Sequence, residues 1–230
     1  MKVSVYWSWD MPEKLEGIAV VIDVYAASSN IAAFLTRSVA KLYVASDATI
    51  LDLKKQYPLG VAIGESRTLP KDTFICNNWP GNVSEVDVSG KTVLYMSNNG
   101  TRAIAEAMDK GAQTVIAAGF VNIAATVDWI LGQKPSTVTL IESGEISFTD
   151  PKVMEDIVCA QALKELMEGK KPDMTAGIRD AKAYMKTVYK GTRDDPRNIN
   201  LTMVPNTLPV VPLCRQLSPG IIEVTNATRE

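Results

Sequence analysis

The chain has 230 residues, of which 46% are hydrophobic and 22% are charged, and its formal net charge is −2. It contains no local cluster of lysine and arginine, so this balance argues against binding to nucleic acid. The chain also contains no histidine, which excludes Ser-His-Asp and Cys-His catalysis, phosphohistidine chemistry and the usual zinc sites.

Short β-like runs alternate with helical patterns along most of the chain. Strands are predicted at 2–7, 18–24, 41–45, 60–64, 91–96, 113–118 and 136–141. Helices are predicted at about 28–39, 47–57, 100–110 and 120–132, then from near 150 and around 173–189. This alternation is typical of parallel strands joined by crossover helices. It predicts a three-layer α/β fold with a mostly parallel or mixed sheet and helices on both faces.

The pattern changes after residue 170. Residues 191–200 are polar and typical of turns, and 204–224 is too rich in proline for a central strand. We therefore predict that this tail packs along an edge or forms a small edge subdomain at about 190–230. No linker separates it, so residues 1–230 are interpreted as one domain.

The cellular compartment is predicted from what the chain lacks. Cys76, Cys159 and Cys214 are too few and too widely spaced for a disulfide framework, so we expect buried free thiols. The N-terminus lacks the apolar core of a signal peptide, and no apolar run approaches the ~20 residues of a membrane span. We expect a cytoplasmic protein that does not associate with membranes.

Polar residues follow four of the predicted strands, and ligands of open α/β sheets bind beyond the carboxyl ends of strands. These residues are Asp23 with Ser28, Ser29 and Asn30, then Gly64 with Glu65, then Ser97 to Arg102, and finally Glu142 to Glu145. The four junctions could converge on one crevice. Each also has a plain structural interpretation, as a helix cap or as a solvated loop residue. Without histidine, a metal site here would be built from oxygen ligands, and magnesium fits best.

The junction 97-SNNGTR-102 is predicted to lead into a helix N-terminus, because Ala103, Ile104, Ala107 and Met108 recur at helical spacing. Unpaired backbone N–H groups there, with the Thr101 hydroxyl and the Arg102 guanidinium, suit a phosphate or another oxyanion. The alternative is simple capping of the helix by Asn99 or Thr101.

Five segments taken in order resemble the 2-phosphosulfolactate phosphatases, the ComB family. They are 20-VVIDVYAASSNIAAFL-35, 63-IGES-66, 77-NNWP-80, 90-GKTVLYMSNNGTRAI-104 and 155-EDIVCAQAL-163. The resemblance implies magnesium-dependent hydrolysis of 2-phospho-3-sulfolactate to sulfolactate and phosphate, in the coenzyme M pathway. The partner would be a small anionic phosphorylated substrate, and the sequence leaves a homodimer open.

The resemblance also suggests which residues form the site. Asp23, Glu65 and Asp156 are the candidates for catalysis, and Asp23, Glu65 and Glu155 are the candidate ligands of Mg²⁺. The candidates for holding the substrate are Ser28, Ser29, Asn78, Asn99, Gly100, Thr101 and Arg102. Glu155 and Asp156 have a second interpretation, since acidic residues near the start of a helix complement its dipole.

The sequence departs from the family pattern at several positions. Ala26 and Ser66 stand where the family has arginines, and alanine cannot replace a charge-assisted, bidentate contact. Arg67, one position further on, would replace one of these arginines. Two hypotheses remain open: a phosphatase for phosphosulfolactate or a related acid, and a non-catalytic relative that binds anions.

Overall fold

The computed structural model describes residues 1–190 and 195–229. Residues 191–194, which belong to the stretch predicted as polar and turn-rich, lie outside the described residues. Within the described ranges, every helix is too short or too polar to cross a membrane.

The described chain contains nine strands and eight α-helices, which alternate between residues 18 and 167. The strands are β1 (Lys2–Trp7), β2 (Ile18–Ile22), β3 (Lys41–Ala45), β4 (Val61–Gly64), β5 (Thr92–Met96), β6 (Thr114–Ala118), β7 (Thr137–Glu142), β8 (Pro212–Ser218) and β9 (Ile221–Asn226). The helices are α1 (Ala27–Thr36), α2 (Ile50–Gln56), α3 (Pro80–Glu85), α4 (Gly100–Asp109), α5 (Ile123–Gln133), α6 (Met154–Met167), α7 (Met174–Val188) and α8 (Pro196–Thr202). The predicted α/β fold, its seven strands and its six helices are confirmed, with ends shifted by a few residues.

The strands form one mixed sheet in the order β1-β7-β2-β6-β8-β9-β3-β5-β4. Strands β1, β7, β2 and β6 are parallel neighbours, as are β3, β5 and β4. The hairpin β8–β9 joins these two parallel blocks through antiparallel pairs. All five residues of β2 are buried, as expected for a strand covered on both faces.

The prediction that the tail lies at an edge is wrong, because β8 and β9 occupy the middle of the sheet. The prolines do not interrupt the strands: Pro212 is the first residue of β8, and Pro219 lies in the turn between β8 and β9. Neither position needs to donate a hydrogen bond from inside a strand. The single domain over 1–230 stays a proposal.

The two parallel blocks run in opposite directions, since three antiparallel pairings separate β6 from β3. In a flat sheet their carboxyl ends would lie at opposite edges. Neighbouring strands rotate by roughly 20–25° each, and the rotation accumulates across the sheet. The sheet therefore curls, and residues that follow β2 and β7 line the same pocket as residues that follow β4 and β5.

Helices cover both faces of this curled sheet. Helices α1 and α4 share one core with strands of both blocks, including Val21 of β2 and Val44 of β3. On the opposite face, α5, α6 and α7 pack on β2, β6 and β7, while α2 packs on β3, β4 and β5. The start of α4 and the start of α6 thereby reach the strand ends that form the pocket.

Candidate active site

A small pocket lies where the junctions after β2, β4, β5 and β7 meet the first turn of α6. We call it the acidic pocket, and its lining residues are Asp23, Tyr25, Ala26, Glu65, Asn78, Trp79, Pro80, Ser97, Asn99, Gly144, Glu145, Val153, Glu155, Asp156 and Tyr189. Five of these described residues are carboxylates, and none of the fifteen is lysine or arginine. The cavity measures about 20 Å³, which is room for one water molecule or a small ion.

Asp23 is buried directly after β2, where the chain turns into α1. Its Oδ1 accepts a hydrogen bond from the Ala27 backbone N–H at 3.1 Å. Its pKa is raised to about 6, and burial is the largest cause. The hydrogen bonds from Ala27 and Ser143 lower this pKa, and the charges of Glu145 and Glu65 raise it. A cation beside Asp23 would relieve this repulsion and favour the charged carboxylate.

Gly100, the first residue of α4, contacts the carboxylate of Asp23. A Cβ at this position would lie 2.4 Å from Asp23 Oδ2 and 2.6 Å from Ala27 Cβ. Only glycine leaves room for the carboxylate at the N-terminus of α4, so the Asn-Gly pair serves close packing between α4 and the loop after β2.

Asp156 links the loops that follow β2 and β7. Its Oδ1 accepts from the Val24 N–H at 2.9 Å, and its Oδ2 accepts from the Gly144 N–H at 3.0 Å and the Ser143 hydroxyl at 3.4 Å. Burial raises its pKa well above the usual range, with the charges of Asp23 and Glu155 adding to the effect. Asp156 is therefore more than a solvated residue that complements a helix dipole.

Glu155, beside it in the first turn of α6, is completely buried. Its Oε1 accepts a hydrogen bond at 2.8 Å from the hydroxyl of Tyr189, the residue directly after α7. A glutamate that merely complemented the dipole of α6 would lie in solvent. Its burial against a phenol instead fixes the carboxylate at the pocket wall.

Glu65 and Glu145 reach the pocket from different parallel blocks. Glu65 follows β4, and its backbone N–H bonds the Met96 carbonyl of β5 at 3.2 Å. Glu145 accepts from the Ser147 hydroxyl at 2.6 Å and forms an ion pair with Arg67 at 3.3 Å. Arg67, whose side chain is half exposed, thus places a positive charge at the edge of the pocket.

Two asparagines line the pocket beside the carboxylates. The Asn78 carbonyl accepts from the Asn30 side chain at 2.7 Å, which ties the loop before α3 to α1. Asn99 precedes α4 and forms no side-chain cap. Its Oδ1 is buried without a hydrogen-bond partner among the described residues. A buried acceptor of this kind is rare and is satisfied once a cation, a water or a ligand donor binds beside it.

The structure brings together six of the predicted site residues: Asp23, Glu65, Asn78, Asn99, Glu155 and Asp156. Ser28 and Ser29 do not line the pocket. The Ser28 hydroxyl donates to the Val21 carbonyl at 3.0 Å, and the Ser29 hydroxyl donates to the Val24 carbonyl at 2.8 Å. Both serines therefore fix the backbone between β2 and α1.

Thr101 and Arg102 also lie outside the acidic pocket. The Thr101 hydroxyl donates to the Ser97 carbonyl at 2.5 Å within the same turn. Arg102 lies along a separate cavity of about 240 Å³, where it pairs with Glu106 at 2.8 Å and donates to the Ser8 hydroxyl at 3.0 Å. An anion-binding role for either residue stays a prediction that this placement does not support.

We expect Arg102→Ala to weaken ligand binding no more than Lys110→Ala, a charge-matched change at the far end of α4. The reason is that the Arg102 charge is already paired with Glu106, and partly exposed pairs of this kind contribute about 0–1 kcal/mol. Affinity for phosphate and the melting temperature would be measured for both variants. A loss of affinity of about tenfold or more for Arg102→Ala alone would restore the anion-binding role.

Several lining residues are not among the site residues that the sequence predicts. Glu145 belongs only to a polar junction, and Tyr25, Trp79 and Tyr189 are absent from the predicted set. Tyr25 and Trp79 lie within the segments that resemble the family. Their closeness in sequence to Asp23 and Asn78 is the signal that could have indicated them. Tyr189 is far from every motif in sequence, and its place in the site follows only from the packing of α7 on α6.

Glu142, the last residue of β7, is buried outside the lining of the acidic pocket. Burial raises its pKa from 4.5 to about 7, against a smaller opposing effect of the Lys152 charge. The folded state thus holds this proton more tightly than the unfolded chain does. The resulting stability is complete below the unfolded pKa and is lost as the pH rises through about 7.

Glu142→Gln should therefore raise the melting temperature by a few degrees at about pH 9, because it removes a buried charge. At about pH 4 the two proteins should melt alike, since both side chains are then neutral. Thermal unfolding across this pH range is the measurement. The same shift at both ends of the range would contradict the assigned cause.

The donor set of the acidic pocket suits a hard divalent cation. Asp23, Glu65 and Glu155 supply the carboxylate oxygens that Mg²⁺ prefers, and the buried Asn99 Oδ1 is an unmet acceptor beside them. Among the described residues, however, no three acidic or cysteine side chains already stand in the arrangement of a metal site. The residues present fit the ion chemically, and binding would draw the carboxylates closer together.

Comparison with known proteins gives this pocket a family context. The family described as "2-phosphosulpholactate phosphatase" matches residues 9–202. A probable 2-phosphosulfolactate phosphatase of Thermoplasma acidophilum is 27% identical over 175 residues, 76% of each chain. A second, from Synechocystis sp., is 28% identical over 204 residues, which are 86% of this chain and 82% of the relative. A third, from Nostoc punctiforme, is 30% identical over 169 residues, 71% and 66% of the two chains. The chain therefore belongs to the 2-phosphosulfolactate phosphatase family.

Proposed function

We propose that the acidic pocket is the active site of a magnesium-dependent phosphatase for a small phosphorylated acid, 2-phosphosulfolactate or a close relative. The observation that supports this is the set of five carboxylates from distant parts of the chain around one ion-sized cavity. Carboxylate oxygens are the ligands that a hard divalent cation prefers, and a cation bound among them would offset their repulsion of a phosphorylated substrate. Membership of the phosphatase family points to the same chemistry.

Asp23, Glu65 and Glu155 are the residues that would hold Mg²⁺. When bound, the ion would supply charge to neutralise the phosphoryl oxygens and to activate water for attack. The cavity has room for the ion and little else, so the bulk of the substrate would lie at its mouth beside Asn78, Asn99 and Trp79. There Arg67, at the edge of the pocket, could meet the second acidic group of the substrate.

Asp156 is suited to deliver the proton that the departing alkoxide needs. Burial raises its pKa well above the usual range, which favours the protonated form, and Asp156 lines the pocket. The backbone N–H groups of Val24 and Gly144 hold the carboxyl in place. In this role it would protonate the ester oxygen as the phosphorus–oxygen bond breaks, and a water would later restore its proton.

The experiment is phosphate release from 2-phosphosulfolactate and from a panel of other 2-phospho acids, with Mg²⁺ and with EDTA. We expect turnover with Mg²⁺ that EDTA abolishes and added Mg²⁺ restores. Release at background level for every compound in the presence of Mg²⁺ would overturn the proposal.

A second function is favoured by Ala26, which lines the pocket at a position where the family pattern has an arginine. A relative that lost turnover would still bind acids in the acidic pocket. This alternative predicts that sulfolactate raises the melting temperature of the protein while no phosphate is released from 2-phosphosulfolactate. Turnover in the assay above would exclude it.

A further inference from the structure

Tyr189 joins three parts of the acidic pocket. Its hydroxyl donates to Glu155 Oε1 at 2.8 Å. Its ring lies 5.1 Å from the ring of Tyr25, in the loop after β2, and 5.7 Å from the ring of Phe148, in the loop after β7. The side chain is nearly buried, at 3% exposure.

The contacts of Tyr189 restrict how Glu155 can move. A phenol held between two aromatic rings has little freedom to turn, because both the ring plane and the direction of the hydroxyl are set by packing. The carboxylate that accepts its hydrogen bond is fixed at Oε1. Glu155 and Tyr189 both line the pocket, so the carboxylate that Tyr189 holds lies at the pocket wall.

We propose that Tyr189 is a positioning residue that orients the Glu155 carboxylate for Mg²⁺. The inference rests on the proposed function, since it assumes that Glu155 is a ligand of the ion. A hydrogen bond to a carboxylate restricts how that carboxylate can turn, and losing such a bond to a metal ligand lowers metal affinity by about 10- to 100-fold. Tyr189 touches neither substrate nor metal in this role and acts only through Glu155.

The test compares Mg²⁺ binding by isothermal titration calorimetry in the unchanged protein, Tyr189→Phe and Tyr184→Phe. Tyr184 lies on the same helix, and its hydroxyl donates to the Lys152 carbonyl at 3.1 Å, outside the pocket. We expect the Mg²⁺ dissociation constant to rise about 10- to 100-fold in Tyr189→Phe and to stay unchanged in Tyr184→Phe. Melting temperatures in EDTA would show how much each hydroxyl contributes to folding alone.

Phe148→Leu is a second variant that keeps both hydrogen-bonding groups and removes one ring beside Tyr189. Aromatic pairs contribute about 0.5–1.5 kcal/mol, so loosening Tyr189 in this way should weaken Mg²⁺ binding by about 2- to 10-fold. This variant tests the same contact even if Tyr189→Phe folds poorly.

The outcomes separate the two proposals. Equal Mg²⁺ affinity in the unchanged protein, Tyr189→Phe and Phe148→Leu would overturn the role of Tyr189 and leave the metal site intact. If Tyr189→Phe lowers the melting temperature in EDTA but leaves the Mg²⁺ affinity unchanged, Tyr189 contributes only to packing, and its positioning role is overturned. No Mg²⁺ binding to the unchanged protein would overturn both this inference and the proposed metal.

Discussion

Asp23→Asn should lower the rate of phosphate release by about 10²- to 10⁴-fold, the range for loss of a group that acts at the reacting centre. Asp23 lies in the acidic pocket, where it contacts Gly100 and accepts a hydrogen bond from the Ala27 N–H. Asparagine keeps the size and the acceptor for the Ala27 N–H. It removes the negative charge that a cation needs.

The same substitution should not lower the melting temperature at about pH 8, where it exchanges a buried charge for a neutral group. Burial raises the pKa of Asp23 to about 6, so above that pH the charged form costs the folded state free energy. Asp128→Asn, an identical change on the exposed side of α5, is the control and should leave activity unchanged. Full activity in Asp23→Asn would remove Asp23 from the mechanism.

The sequence predicts the strands well because a strand that is buried on both faces is a continuous apolar run. Strand β2 reads IAVVI and is buried at every residue, so its apolar run needs no knowledge of its neighbours. No local sequence feature of this kind indicates the order of the strands in the sheet. Strand β8 is buried only near its start, where Leu213 and Cys214 pair with β6, and its last four residues are exposed. Such a segment resembles an edge, although the hairpin lies in the middle of the sheet.

One part of the site was predictable because its residues closely follow a strand, whereas Asn78, Glu155 and Asp156 were indicated only by the family resemblance. Asp23, Glu65 and Asn99 stand within a few residues of a strand end, so they meet wherever those ends meet. Arg102 is already inside the first turn of α4, and Glu106 lies four residues further on, at the spacing that favours a helical ion pair. The pair with Glu106 therefore competes with anion binding, and the sequence alone did not decide between them.

Tyr189 is a site residue that the sequence does not indicate. It is 34 residues from Glu155 in sequence, and it reaches the pocket because α7 packs on α6. Neither periodicity nor a strand-end rule relates these two positions. Contacts made by helix packing have to be read from the structure.

Gly100→Ala should destabilise the protein by about 1–3 kcal/mol and lower phosphate release strongly, whereas alanine in place of glycine within a helix normally stabilises. The added Cβ would lie 2.4 Å from Asp23 Oδ2 and 2.6 Å from Ala27 Cβ, distances that side chains do not tolerate. Either α4 or the loop after β2 must move. Because Asp23 is part of that loop, the movement displaces the carboxylate from the other groups of the acidic pocket.

Gly132→Ala provides the matched control, since Gly132 lies in α5 and a Cβ there meets no atom within 4 Å. It should raise stability by about 0.5 kcal/mol and leave activity unchanged, so the two glycine substitutions should shift the melting temperature in opposite directions. Melting curves and phosphate release for both variants are the measurements. If Gly100→Ala also stabilised the protein and kept its activity, the close contact between α4 and Asp23 would be wrong, and Asp23 would lose the fixed position on which the proposed metal site depends.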